Sequence, residues 1–114
     1  MPTSQGFREL RVYQLAFRLA MEIFEESKKF PKEETYSLTD QIRRASRSVP
    51  TNIGEGYRKK RYPKMFVSKM ADADGEGTET QVWIDFVLLP LLLSTRGGSR
   101  SLLNRATHFN NPQT

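Results

Sequence analysis

The side chains best suited to chemistry in this chain are charged, and they fall into two groups of opposite sign. Asp72, Asp74, Glu76 and Glu79 lie close together, and so do Arg43, Arg44 and Arg47, followed by Arg58, Lys59, Lys60, Arg61 and Lys64. Clustered carboxylates raise the prospect of general acid–base work or a two-metal centre. Helical bundles that hold two metals need Glu-x-x-His repeats on facing helices, and no such repeat occurs here. The single histidine, His108, stands far from the acids, and there is no cysteine, so a transition-metal site lacks ligands. Ser46 and Ser48 have no histidine beside them to act as a base. Gly54-Glu55-Gly56 and Gly75-Glu76-Gly77 are not phosphate loops, because no strand precedes them and no Gly-Lys-Ser/Thr follows. The acidic run reads as a solvated helix face. No catalytic residue, metal or cofactor is assigned, and the chain is read as no enzyme.

The cations carry more. Residues 39–69 hold nine basic and two acidic side chains, and residues 70–95 hold five acidic and none basic, within a net charge of +5. Two readings follow. Neighbouring helices of opposite charge can pair, each exposed pair contributing about 0.2–1 kcal/mol. Alternatively the basic stretch is a patch for nucleic acid. Its members are Arg43, Arg44, Arg47, Arg58, Lys59, Lys60, Arg61 and Lys64. Binding would neutralise phosphates and release counterions, and so tolerate any sequence. Aromatic residues do not interleave with these cations along the chain in the manner that reads single-stranded bases, although Tyr57 and Tyr62 lie near.

Helices must position these groups. Leu38, Ile42, Ala45, Val49, Ile53 and Gly56 recur three and four apart, which places them on one stripe of a helix over about 37–60. Arg43, Arg44, Arg47 and Arg58 then fall opposite, so replacing the first three with glutamate is expected to abolish polyanion binding and spare the fold. Ser37 or Thr39 is the expected cap. Pro50 removes one backbone hydrogen bond and predicts a kink, with Thr51 and Asn52 restoring local bonds. A first helix over about 8–30 carries two adjoining apolar stripes: Leu10, Tyr13, Phe17, Ala20 and Phe24, then Val12, Ala16, Leu19 and Ile23. An ordinary surface helix needs an apolar arc of only somewhat more than about 100°. This one has more, and self-association is the expected outlet. A third helix over about 64–87 carries Phe66, Met70, Ala73, Gly77, Thr80, Ile84 and Val87. Gly75 and Gly77 each weaken a helix by roughly 1 kcal/mol against alanine, which suggests close packing there. Asn52 and Glu55 flank the seam of the second helix. They are read as a structural polar network with Glu79 and Gln81 that joins helices two and three, in preference to a ligand pocket.

Three motifs, in order, carry a family resemblance. They are Phe7-Arg8-Glu9-Leu10-Arg11-Val12-Tyr13 with Ala16, the long run Gln41 to Gly56 (QIRRASRSVPTNIGEG), and Glu79-Thr80-Gln81. Over residues 7–86 the chain resembles the four-helix-bundle family named for proteins encoded in 23S ribosomal RNA intervening sequences. The resemblance implies an all-α, antiparallel up-down four-helix bundle assembled as a homopentamer. Accessory proteins of diversity-generating retroelements resemble this family, and they bind nucleic acid and a reverse transcriptase through a basic surface. The expected function is therefore a non-enzymatic homo-oligomer that binds nucleic acid, RNA in particular. The alternative is a protein–protein adaptor or scaffold, such as a partner of a reverse transcriptase.

The resemblance stops where the family's acidic fourth helix should begin. Instead comes Phe86-Val87-Leu88-Leu89-Pro90-Leu91-Leu92-Leu93, and no acidic residue follows Asp85. The expected organisation is a helical domain over 1–86 and a divergent tail over 87–114, read out of frame or replaced, with the fourth helix missing or degraded. The apolar run falls short of the about 20 residues that span a bilayer, so no membrane partner is expected. The lack of cysteine and of a basic-then-apolar leader points to the cytoplasm.

Overall fold

The computed structural model describes residues 6–94, with side chains through residue 89. Residues 1–5, the part of the divergent tail beyond residue 94, and His108 within it lie outside the described residues. Among the described residues the chain is all-α, with no strand. A 3-10 turn at Gly6–Glu9 leads into helix α1, Arg11–Ser27. A second 3-10 turn at Lys32–Glu34 and a π-helical turn at Thr35–Thr39 precede helix α2, Asp40–Arg58, and helix α3 spans Pro63–Ser94. A fourth helix is not among the described residues. A boundary between Gln81 and Val82, inside α3, divides the chain into two compact units.

The sequence explains most of these limits. Phe30-Pro31 halts α1, because a proline disfavours helical backbone in the residue before it. At the start of α2 neither expected cap operates. Thr39 has helical angles (φ −61°, ψ −51°) and makes no side-chain cap bond, while Ser37 donates to Glu34 Oε1 at 2.7 Å. Helical backbone reaches back through the π turn, so the first amides of α2 have carbonyls behind them and need no side-chain acceptor. Helix α2 continues through Pro50. Around it Thr51 Oγ1 donates to Arg47 O at 2.8 Å and Asn52 Nδ2 to Ser48 O at 2.9 Å, two local side-chain bonds of the sort that accompany bends.

In the first unit, α2 is buried on two sides. Ile42, Ala45 and Ile53 of the expected seam are buried, and so are Ser46, Pro50 and Gly54 beside it. Gly54 meets α1's leading turn, since a Cβ there would lie 3.1 Å from the Phe7 ring. Gly56 meets α3, where a Cβ would run into the Met70 methyl and lie 3.1 Å from Lys69 Cβ. The close packing expected at Gly75 and Gly77 is not found there. Gly75 faces open space and Gly77 has only Val49 at ordinary contact, 4.0 Å. The tight glycine is on α2 because α3 presents long side chains, Met70 and Lys69, at the crossing.

Helix α1 runs antiparallel to α2: Arg43 near the start of α2 bonds Ser27 at the end of α1 (2.6 Å), and Arg58 reaches Phe7 at the other end. Within the first unit, the part of α3 over residues 63–81 runs antiparallel to α2 as well, since Glu55 pairs with Lys69 and Arg44 with Glu76 and Glu79. The described apolar core is thin, consisting of Ala20, Ile23, Ile42, Ala45, Ile53 and Ala73. Alanines supply half of it, while Val12, Leu15, Phe17, Leu19 and Met21 of α1 are about half exposed (47–56%). In the second unit, the rings of Trp83 and Phe86 sit 5.7 Å apart, and Val82, Phe86, Leu88 and Leu89 are exposed. No helix among the described residues is long and apolar enough to cross a membrane.

Candidate nucleic-acid interface

Along α2, Arg43, Arg47, Pro50, Gly54 and Arg58 follow one another at spacings of three and four, so they form one stripe. Arginines occupy its two ends, and uncharged, bulk-poor residues occupy its middle. Along α1 and its leading turn runs a row of rings: Phe7, Tyr13, Phe17 and Phe24. Phe7 and Tyr13 meet edge to face at 5.1 Å, and Tyr13 and Phe17 lie 5.9 Å apart. Because the two helices are antiparallel, the row of rings and the stripe of arginines lie side by side.

They touch at both ends. The guanidinium of Arg43 sits 4.6 Å from the centre of the Phe24 ring, that of Arg47 5.1 Å, and Lys28 Nζ 5.0 Å. At the far end Arg8 stands 4.6 Å and Arg58 5.9 Å from Phe7, and Lys60 lies 4.2 Å over Tyr57 while donating to its hydroxyl at 3.1 Å. Each cation–ring contact is worth about 0.5–1 kcal/mol at exposed sites. The middle of the face is an apolar groove of about 450 Å³, lined by Phe7, Tyr13, Phe17, Met21, Pro50 and Gly54, with exposed Arg47, Glu55 and Arg58 at its edges. A polar hollow of about 500 Å³ adjoins it around Phe24, Arg43 and Arg47, with Arg44 and the carboxylate of Asp40 also on its wall. Another of about 400 Å³ adjoins it around Phe7, Tyr57, Arg58 and Arg61. Arg47 is common to the groove and the first hollow, and Arg58 to the groove and the second.

The eight cations expected to form one patch divide among three settings. Arg43 and Arg47 gather at Phe24. Arg58, Lys60 and Arg61 gather at the C-terminal end of α2, with Lys59 and Lys64 exposed nearby. Arg44 borders the hollow around Phe24, but its guanidinium pairs with Glu79 at 2.5 Å and Glu76 at 3.5 Å on α3. One residue turns the helix by about 100°, which carries Arg44 off the α1 side and onto the α3 side. For this arginine the salt-bridging reading of opposite helix charges applies. Rings and cations do not interleave along the chain, yet in space the interleaving exists, because the rings come from α1 and its leading turn and most of the cations from α2. Phe7, Arg8, Phe24 and Lys28 were missed for that reason. The one local signal was the excess apolar arc of α1, which left Phe17 with nothing to bury it.

The four residues of the expected polar network are not brought together. Asn52 turns back to its own helix at Ser48 O, and Gln81 is exposed. Glu79 and Glu55 do join α2 to α3, but through Arg44 and Lys69, with Lys69 Nζ 2.9 Å from Glu55 Oε1. The hydrogen bond and charge of Glu55 hold the Lys69 ammonium above its usual 10.5. Among the described residues no group of three or more potential ligands is placed to hold a metal ion.

Residues 8–109 match the family model described as 23S rRNA-intervening sequence protein. The match continues past Gln81, where the three sequence motifs end, and past residue 86, the expected end of the resemblance. No curated protein and no solved structure matches the chain.

Proposed function

The chain belongs to the family of 23S rRNA-intervening sequence proteins, and from that premise we propose that it is a non-enzymatic cytoplasmic homo-oligomer that binds RNA through its α1–α2 face. The observation that carries the reading is the pairing of cations with rings at both ends of that face: Arg43 and Arg47 at Phe24, Arg8 and Arg58 at Phe7. A guanidinium lying over a ring retains in-plane donors that suit phosphate oxygens, although Arg43 already donates its Nε to Ser27. Repetition of the face around an oligomer, a pentamer by resemblance, multiplies the attraction for a polyanion. The half-exposed Val12, Leu15 and Leu19 of α1 support self-association, since soluble monomers seldom leave such stripes uncovered.

The adaptor reading, in which a protein such as a reverse transcriptase meets this face, draws support from the apolar groove between the arginines. A salt titration separates the two. Affinity for random-sequence RNA should fall linearly on a log–log plot, with a slope of about −0.7 per phosphate neutralised on single strands. Arg47→Glu combined with Arg58→Glu should abolish it. Absence of RNA binding at low ionic strength would remove the nucleic-acid reading.

A further inference from the structure

We infer that the groove between α1 and α2 takes unstacked bases, which makes the protein selective for single-stranded over double-stranded RNA. The inference rests on the nucleic-acid reading and goes a step beyond it. Of the four rings in the row, the outer two are already occupied: Phe24 is covered by Arg43, Arg47 and Lys28, and Phe7 by Arg8 and Arg58. The inner two, Tyr13 and Phe17, have no cation over them among the described residues. Opposite them α2 presents Pro50 and Gly54, which add almost no bulk and no charge. Gly54 lets the Phe7 ring come close to the α2 backbone at one end of the slot, since a Cβ there would lie 3.1 Å from that ring.

The result is an apolar slot of about 450 Å³ whose floor is aromatic and whose two ends are arginines, with one carboxylate at its edge, Glu55, which is paired with Lys69 at 2.9 Å. Arg47 and Arg58 are eleven residues apart on one helix, about 16 Å along its axis. That spacing lets the two cations hold phosphates flanking a few nucleotides while the bases between them rest on Tyr13 and Phe17. Stacking on rings inside a cationic groove is the general mode of single-strand binding, and it tolerates sequence because every base has a π face. A duplex keeps its bases stacked inside and offers only phosphates and groove edges. It would use the arginines and leave the slot empty. An acidic helix of another protein would suit the arginines, but it has no need of bare rings.

The test compares a single-stranded oligouridylate with an RNA duplex of equal length, by fluorescence anisotropy on the full chain. The unmodified protein should prefer the single strand. Phe17→Ala should weaken single-strand binding about tenfold or more, leave duplex binding within about twofold, and keep the salt slope unchanged. Phe17→Trp should restore single-strand affinity, whereas Phe17→Leu should not. Phe17 is 49% exposed, so these variants should keep the helicity and sedimentation of the parent. Equal affinity for both RNAs, with Phe17→Ala altering neither, would overturn the slot while leaving the cationic interface standing. Loss of RNA binding altogether in the parent would overturn both. Rescue by Phe17→Leu, or a smaller assembly on Phe17→Ala, would overturn the slot in favour of apolar docking by a protein or by a second copy.

Discussion

A guanidinium nitrogen of Arg44 lies 2.5 Å from a carboxylate oxygen of Glu79, while Arg43 and Arg47 on either side of it lean over Phe24. Three arginines within one and a half turns thus serve two neighbours. The middle one belongs to the α2–α3 contact, and the outer two belong to the α1–α2 face. Replacing all three with glutamate, which the sequence suggests as a harmless surface change, would set a third carboxylate beside Glu76 and Glu79.

Arg44→Ala should therefore act on stability, and Arg47→Ala on RNA. Arg44 is half exposed, with its side chain at 50%, so losing the pair should cost at most about 1 kcal/mol. That corresponds to a melting point lower by a few degrees in a domain of this size. Arg44→Glu should cost more, by like-charge repulsion. RNA affinity of Arg44→Ala should stay within about twofold, and Arg47→Ala should flatten the single-strand salt slope by about 0.7. Calorimetry and anisotropy on the same preparations check both. A melting point unmoved in Arg44→Ala would count against its structural role.

The two glycine environments predict changes of opposite sign. Gly56→Ala pushes the mobile Met70 methyl aside and crowds Lys69 Cβ at 3.1 Å at the α2–α3 crossing, an overpacking that should destabilise by about 1 kcal/mol. Gly75→Ala meets open space and removes unfolded-chain entropy within a helix, so it should stabilise by about 0.4–1 kcal/mol. Urea denaturation followed by circular dichroism gives both values. Equal effects would mean that the crossing is looser than the Gly56–Met70 geometry requires.

Lys69 gives the fold an alkaline edge. Glu55 holds its ammonium above the usual 10.5. A cation with a raised native pKa contributes stability fully below its unfolded value and loses it as pH climbs through the native one. Stability from this pair should accordingly be level from neutral pH to about 10 and decline above that. In Lys69→Met the decline attributable to the pair should disappear. Chemical denaturation of both proteins between pH 7 and 11.5 measures the difference, and parallel curves would sink the assignment.

Assembly should depend on a stripe separate from the groove. Val12, Leu15 and Leu19 are about half exposed (47–56%), and their spacing of three and four puts them on one side of α1, away from Tyr13 and Phe17. The protein should scatter light as an oligomer. Leu15→Lys with Leu19→Lys should yield a smaller species that still binds single-stranded RNA, more weakly through lost multivalency. A monomeric parent would show that these side chains need no partner.

Much of this was open to a reading of residues alone. The three helices, the stop at Pro31 and the seam of Ile42, Ala45 and Ile53 follow from periodicity and from proline, which act within a few residues of themselves. The three motifs carried the family, and the excess of apolar residues on α1 announced an uncovered face. The start of α2 was misjudged because helical backbone fed in from a π turn supplies what a capping side chain otherwise would. Partner choice was out of reach for a different reason. A stripe shows that a face exists and leaves open which helix lies against it. Arg44 and Arg47 are equivalent as letters and differ by about 60° around one helix axis. Packing converts that angle into different neighbours: α3 carboxylates for one, an α1 phenyl ring for the other. The groove itself exists only because α1 and α2 pack antiparallel, which sets a row of rings beside a stripe whose middle is Pro50 and Gly54. No local pattern in either helix contains that alignment, since it arises from contacts between residues as far apart as Phe7 and Arg58.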